Sequence, residues 1–360
     1  MIIGSKNKGD WSEFYALLYL LGEREIYAAD EHLQRLTQLF FPIIRIIRQE
    51  EANRRIDFLL NGEMLVEVHV NSSLLKTMTS AEFKAEAERL LHDIPAAVGR
   101  QFTITHGEDF LNSIGCRKLA APSTDVTDIR MEVHDTNTGT DQIMGFSIKS
   151  YLGGAPTLLN ASGATNFVYE VEGITDEQME VINAIDTRTK ILDRIAKITD
   201  WGGSITYRKP ANDVFAGNLQ MIDSKMEFII AEMLLYSYAT NTTTCSSIIE
   251  HLENANPLSY PWEGFYTHKF KEFLCAKALG LDPSERWYGT DDTNGGYIVV
   301  KSDGDVVAYH IYNRDKFKQY LFDNTYLERS STSRHGYASL YKENGKMYIK
   351  LNLQIRFKEQ

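Results

Sequence analysis

The sequence predicts a mixed α+β / α/β fold: a central β-sheet flanked by helices, followed by a C-terminal helical and β-hairpin region. Three observations carry this expectation. Well-capped helix signals stand at the start and in the middle of the chain. Alternating polar and apolar segments lie between them and at the end. A composition of 43% hydrophobic and 24% charged residues over 360 positions supplies the core such a fold must bury. The length allows two or three domains, and a soft boundary near residue 210 separates a 1–210 core from a 211–360 helical and β-rich region.

Taken in order, Asp10 reads as the N-cap of the first helix. Glu13 stands at the capping-box position, ahead of Phe14, Leu17, Leu18 and Leu21 at helical period. A second apolar-periodic stretch, from about Leu33 to Ile47, is grouped with this helix. Residues 56–70 read as a hairpin turning at Asn61-Gly62, and Ser80 to Leu91 as an amphipathic helix. Asp128 to His134 alternates as a half-buried strand. The loop Asp135 to Asp141 returns the chain to a second strand, Ile143 to Ser150, and Asn166 to Val171 forms a third. Thr175 caps a long helix with Gln178 completing its box. Residues 219–239 form one apolar helix, and Tyr297–Lys301 with Val306–Ile311 form a hairpin. The last strand alternates from Met347 to Phe357.

Composition limits function. No apolar run is long and uncharged enough to span a membrane, and the first residues carry no secretory pattern, so a cytoplasmic protein is expected. Cys116, Cys245 and Cys275 lie too far apart for a disulfide framework. Thirty-eight basic against 49 acidic residues give a net charge of −11, which alone argues weakly against a nucleic-acid partner. The charge is uneven, however. Residues 1–200 carry 20 basic and 30 acidic side chains, and residues 301–360 carry 11 and 7. The end of the chain suits phosphate; the first half suits divalent cations. No Walker-type or Gly-x-Gly-x-x-Gly loop calls for a nucleotide cofactor, and no Gly-x-Ser-x-Gly elbow for a serine hydrolase.

Metal-dependent phosphodiester hydrolysis needs carboxylates to hold Mg²⁺ and a cation near the attacking water. A two-stranded ribbon delivers both when an acid opens one strand and an acid-x-Lys triplet lies on the next. Here Asp128 opens a strand and Ser147-Ile148-Lys149 lies on the following one. Because Ser147 stands where an acid is needed, a second carboxylate must come from elsewhere. Glu13 is the first choice; Glu132, Asp135 and Glu170 are the alternatives. Each also has an ordinary role open to it, Glu13 in a capping box and Glu132 in a surface pair. The similar spacing Asp57…Glu67-x-His69 reads as a neighbouring structural hairpin.

Further segments carry a resemblance. The run Gly145-Phe-Ser-Ile-Lys-Ser150 is followed by Leu152-Gly153, Thr157-Leu-Leu-Asn-Ala-Ser162 and Ala164-Thr-Asn-Phe167. Asn7-Lys-Gly-Asp-Trp-Ser-Glu13 precedes it; Gly295 to Val300, Tyr309 to Asn313 and Ser331 to Gly336 come later. Together, in this order and over nearly the whole chain, they resemble the HpaII-like family of Type II restriction endonucleases. The resemblance implies a PD-(D/E)XK nuclease core, Mg²⁺ dependence and double-stranded DNA cleaved at 5′-CCGG-3′. It also implies that Asp128 is the metal-binding acid, Ser147 the altered triplet position and Lys149 the motif lysine.

For base reading, Arg334, flanked by Ser331, Ser333 and His335, suits bidentate contact with guanine, with phosphate contact the equal alternative. Asn160, Ser162, Thr165 and Asn166 are placed to touch DNA, unless they only hold their own loop together. A catalytically inactive DNA-binding protein on the same scaffold is the competing expectation, motivated by Ser147. A homodimer stays open.

Overall fold

The computed structural model describes residues 6–120, 127–136, 138–310 and 313–360, with the side chain of His310 left out. The expected strand end at Ile311 and part of the Tyr309–Asn313 motif therefore lie outside the described residues, as do Met1–Ser5 and Asn137. The chain forms two compact units. One comprises residues 1–156, 291–320 and 359–360; the other comprises 157–290 and 321–358. The units thus part after Pro156, and not near residue 210, and the chain returns to the first at Asp291.

The first unit is built on a nine-stranded mixed sheet. Its order is Glu25–Ala29, Val306–His310, Gly296–Val300, Thr140–Ser150, Ile129–Asp135, Arg35–Glu51, Arg54–Leu60, Leu65–Val70 and Ser73–Thr79. The expectation was a central sheet flanked by helices; in addition Glu25–Ala29 pairs with Arg35–Glu51, so six strands close into a ring. The cause lies in the 17-residue strand Arg35–Glu51. Its first half, up to Pro42, pairs with Glu25–Ala29, and its second half, from Ile43, pairs with Ile129–Asp135. Pro42 has no N–H to extend a ladder, and the register shifts just after it. This strand occupies the stretch grouped with the opening helix. Phe40, Phe41, Ile43, Ile44, Ile46 and Ile47 favour a pleated surface over a helix.

The opening helix, Lys8–Glu23, buries Trp11, Phe14, Tyr15, Leu17, Leu18, Leu20 and Leu21 in the core of this unit. Its start falls earlier than expected. Asn7 is the N-cap, accepting the N–H groups of Gly9 (2.7 Å) and Asp10 (3.1 Å), while Asp10 accepts that of Asn7 (2.9 Å). Asp10 is therefore the far half of the capping box. Thr79 and Glu82 cap Ser80–Ala96 in the same way.

The second unit holds two antiparallel sheets. One runs Ser204–Pro210, Asn166–Glu172, Lys346–Asn352, Leu340–Glu343; the other runs Thr325–Leu327, Ile355–Phe357, Thr157–Leu159. Three expected elements divide. The alternating C-terminal strand breaks at Leu353-Gln354 and serves both sheets. The helix after Thr175 ends at Asn183 and a new one begins at Lys190. The apolar helix splits into Asp213–Ile222 and Met226–Thr240, because Asp223 is extended and takes the N–H of Lys225. Such local side-chain bonds compete with the helix at that point.

Candidate active site

Asp128 stands one residue before the strand Ile129–Asp135, whose Arg130, Glu132 and His134 lie on its open face while Ile129, Met131 and Val133 are buried. That alternation matches the sequence pattern. Antiparallel pairing with Thr140–Ser150 sets Ile129 opposite Phe146, and the N–H of Asp128 donates to the Phe146 carbonyl at 3.0 Å. The Asp128 carboxylate then meets the triplet. Its Oδ2 accepts the N–H of Ile148 at 2.6 Å and the hydroxyl of Ser147 at 3.2 Å. Ser147, 6% exposed, thus uses the triplet's altered position to hold the acid.

Burial raises the pKa of Asp128 above its ordinary value. The Lys149 charge, the Ile148 N–H and the Ser147 hydroxyl work in the opposite direction, favouring the ionised form. A carboxylate that is costly to ionise and faces a half-buried lysine is the kind of group found where charge is used.

Glu13 reaches the same place. With the cap at Asn7, it lies inside the helix, outside the capping box, and lines a cleft with Asp128. The cleft encloses about 40 Å³ and is also lined by Leu17, by Ile46–Gln49 and by Thr127–Arg130. That volume suits a water or an ion, not an organic cofactor. Glu13 and Asp128 are hard oxygen donors, the chemistry a small divalent cation prefers. Among the described residues no three His, Cys, Asp or Glu side chains converge as a metal-binding group.

The alternative acids stand elsewhere or are engaged. Glu132 forms an ion pair with Arg45 of the adjacent strand at 2.5 Å. His134 meets Asp141 at 2.7 Å. Asp135 is fully buried at the far end of the strand, roughly 23 Å along it from Asp128. Glu170 belongs to the second unit, where the Lys346 ammonium (2.9 Å) and the Arg208 guanidinium (2.8 Å) hold its pKa below the usual carboxylate value. In the earlier hairpin, Asp57 takes the guanidinium of Arg55 at 2.6 Å and Glu67 contacts His69 at 3.0 Å.

Sequence reasoning missed the residues that seat Asp128. A Cβ on Gly145 would come within 2.7 Å of the Thr127 side chain, so Thr127 packs where only glycine leaves room. The Gly145 N–H donates to Asn294 Oδ1 and its carbonyl accepts from Gly295, both at 2.8 Å. Gly145, inside a strand, was the one available signal, since such glycines mark close approaches.

In the second unit the expected polar segments differ sharply in exposure. Asn160 is exposed and Ser162 half-buried, but Thr165 and Asn166 are 0% and 3% exposed. Asn166 accepts from Asn352 (2.7 Å) and donates to the His335 carbonyl (2.9 Å); Thr165 bonds to Ser162. DNA contact by Thr165 and Asn166 is therefore corrected to a structural role, because their polar atoms are spent joining this loop to the Ser331–His335 segment. In that segment Ser331 caps a short helical turn, accepting the N–H of Arg334 at 3.4 Å, and the side chain of Arg334 is exposed. Ser333 is exposed and His335 half-buried.

Comparison with known proteins adds independent information. The family description "HpaII restriction endonuclease" matches residues 7–357. The Type II restriction enzyme HpaII of Haemophilus parainfluenzae is 39% identical over 357 residues, which cover 98% of each chain. No solved structure matches.

Proposed function

The chain belongs to the HpaII restriction endonuclease family, and on that premise we propose that it cleaves both strands of DNA at 5′-CCGG-3′ with Mg²⁺, through a PD-(D/E)XK-type core. It is a Type II restriction endonuclease. The observation that carries the proposal is the bonding of Asp128 to the Ser147-Ile148-Lys149 segment beside Glu13 in a cleft of ion size.

In this reading Asp128 and Glu13 hold the Mg²⁺ ion. When bound, the ion offsets charge building on the scissile phosphate and makes its water more acidic. Ser147 and the Ile148 N–H orient Asp128 so that Oδ1 is left for the ion. Lys149 supplies fixed positive charge for the phosphate and the attacking oxygen. Glu132, held by Arg45, and Glu170, held by Arg208 and Lys346, stay outside the ligand set. Arg334, with Ser331, Ser333 and His335, reads guanine in the major groove. Asn160 and Ser162 contact the backbone. The unit of residues 1–156 and 291–320 carries the cleavage chemistry, and the unit of 157–290 and 321–358 contributes recognition. The palindromic site fits two copies related by a two-fold axis. Among the described residues no helix is long and apolar enough to cross a membrane. The three cysteines are buried thiols, and we place the protein in the cytoplasm, with its DNA.

The test is cleavage of a plasmid with Mg²⁺, followed by sequencing of the ends. Ends mapping to CCGG bear the reading out. Cuts elsewhere overturn the specificity, and tight CCGG binding with no cutting supports the inactive binding protein that Ser147 brings into view.

A further inference from the structure

The second unit contains a cavity of about 430 Å³ that the cleavage chemistry does not use. Arg188, Lys190, Arg329, Ser331 and Ser333 line it, together with Tyr238. Its size falls in the range of small-molecule sites and exceeds what an inorganic ion needs. Its charge has one sign.

Arg329 is the central feature. Its guanidinium lies 3.9 Å from the centre of the Tyr238 ring, and Nη2 donates to the carbonyl (2.7 Å) and hydroxyl (2.9 Å) of Ser237. Nη1 is buried with no hydrogen-bond partner, and no carboxylate pairs with the group among the described residues. A largely buried cation without a counter-charge is costly, and folded chains normally supply one. Here none is supplied among the described residues, and Arg329 lines the cavity half-buried. The remaining cations divide in role. Lys190 is paired with Asp186 at 2.9 Å, whereas Arg188 is exposed at the rim and, among the described residues, enters no ion pair.

The helix Lys190–Asp200 adds to this. Its first residues line the cavity, and Thr189 makes no side-chain capping bond. The positive end of an eleven-residue helix therefore faces the same space. Asp193, in its first turn, is occupied by the hydroxyls of Thr187 and Thr189 (3.1 Å for the latter). Ser331 and Ser333 supply further hydroxyl donors.

We propose that this cavity binds one phosphate of the DNA backbone with its attached sugar, held by Arg188, Arg329 and the start of the Lys190–Asp200 helix. The proposal rests on the DNA-cleaving reading and adds a grip that is independent of base sequence. The same chemistry would take a free nucleotide, so the experiment carries an arm for each source.

Binding of a CCGG duplex and of a scrambled duplex is measured by fluorescence anisotropy in Ca²⁺ at several salt concentrations, for wild type, Arg188→Ala and Arg329→Gln. Arg188→Ala, at the exposed rim, should weaken both duplexes by a similar factor of roughly ten. The slope of log affinity against log salt should fall by about one. Arg329→Gln, kept only if its melting temperature stays near wild type, should do the same. Wild-type affinities and slopes for Arg188→Ala and a folded Arg329→Gln would overturn the proposal. So would a loss confined to the CCGG duplex. In the second arm, thymidine 5′-monophosphate is added in a thermal-shift assay. A stabilisation that Arg188→Ala removes, with duplex binding unchanged, would reassign the cavity to free nucleotide and overturn the DNA assignment. If wild type bound no duplex at all, the functional reading itself would fall; a failure of the variants alone leaves that reading standing.

Discussion

The cleft beside Asp128 and the cavity beside Arg329 are built from opposite materials. The first encloses about 40 Å³ and gathers two carboxylates near a lysine; the second encloses about 430 Å³ and gathers arginines and hydroxyls. Each contains one half-buried charge that partial loss of water penalises. Asp128 is driven towards its neutral form, and the pKa of Arg329 is lowered by the same loss of water. A small carboxylate cleft can bind an ion and alter a bond. A roomy cationic cavity can hold an anion and alter nothing. On the proposed reading the contrast explains how an acidic chain of net charge −11 can act on DNA: Asp128 and Glu13 serve the metal, while Arg188 and Arg329 lie where phosphate is held.

The largest effects should break the first region alone. Asp128→Ala or Lys149→Ala should lower cleavage at least about 1,000-fold, while duplex affinity in Ca²⁺ stays within a few-fold of wild type. Single-turnover cleavage with a parallel binding titration separates the two quantities. A variant still cutting at wild-type rate would remove its residue from the ribbon.

Glu13 and Glu132 offer a sharper division within that region. Glu13→Gln should cost roughly 100-fold in rate and move the Mg²⁺ requirement to higher concentration, since it takes a charged ligand from the cleft. Glu132→Gln leaves only Arg45 without its partner, a half-exposed pair. It should change the rate by less than about threefold and stability by under about 1 kcal/mol. The reverse ranking in Mg²⁺ titrations would hand the ligand role to Glu132.

Arg334→Ala probes recognition in the second unit and should lose roughly 1–3 kcal/mol of discrimination for CCGG over a one-base mismatch. Equal losses on both duplexes would make Arg334 a phosphate contact, of the same kind as Arg188. Base reading would then pass to Asn160 and Ser162.

The first region was far more legible in the sequence than the second, and the reason is locality. Asp128 and Ser147-x-Lys149 lie on consecutive strands, so period two and one turn suffice to bring them together. Glu13 does line the cleft with Asp128, but its place depends on how the opening helix packs, which no local spacing encodes, and the helix cap was assigned to Asp10 because Asn7-x-x-Asp10 and Asp10-x-x-Glu13 both have capping spacing. Arg329 gave no comparable signal. Its neighbours in the chain are polar, and its meaning comes from Tyr238 and Arg188, far away in sequence. The polar residues Thr165 and Asn166 misled for the same reason: their partner, Asn352, closes the loop from nearly two hundred residues away. The strand Arg35–Glu51 misled differently, since an aliphatic run with scattered polar residues fits more than one period.

The smallest effect concerns the cost of holding the Asp128 charge away from water. The folded-state pKa of Asp128 is raised, so the sign is fixed. Above the ordinary carboxylate pKa of about 3.9, folding holds a charge that burial opposes, and stability is lost as pH rises towards the folded pKa. Below that value the group is protonated in both states and the cost disappears. Asp128→Asn removes the charge, yet its amide oxygen can still accept from Ile148 and Ser147. The variant should therefore be inactive and, without metal at pH 7.5, more stable by about 1 kcal/mol, a rise of roughly 2–4 °C in melting temperature. The advantage should fade as pH drops to about 4. Adding Mg²⁺ should then stabilise wild type and leave the variant nearly unmoved. A variant less stable than wild type at pH 7.5 would mean that Lys149 outweighs burial, making Asp128 half of a stabilising ion pair instead of a charge held at a cost.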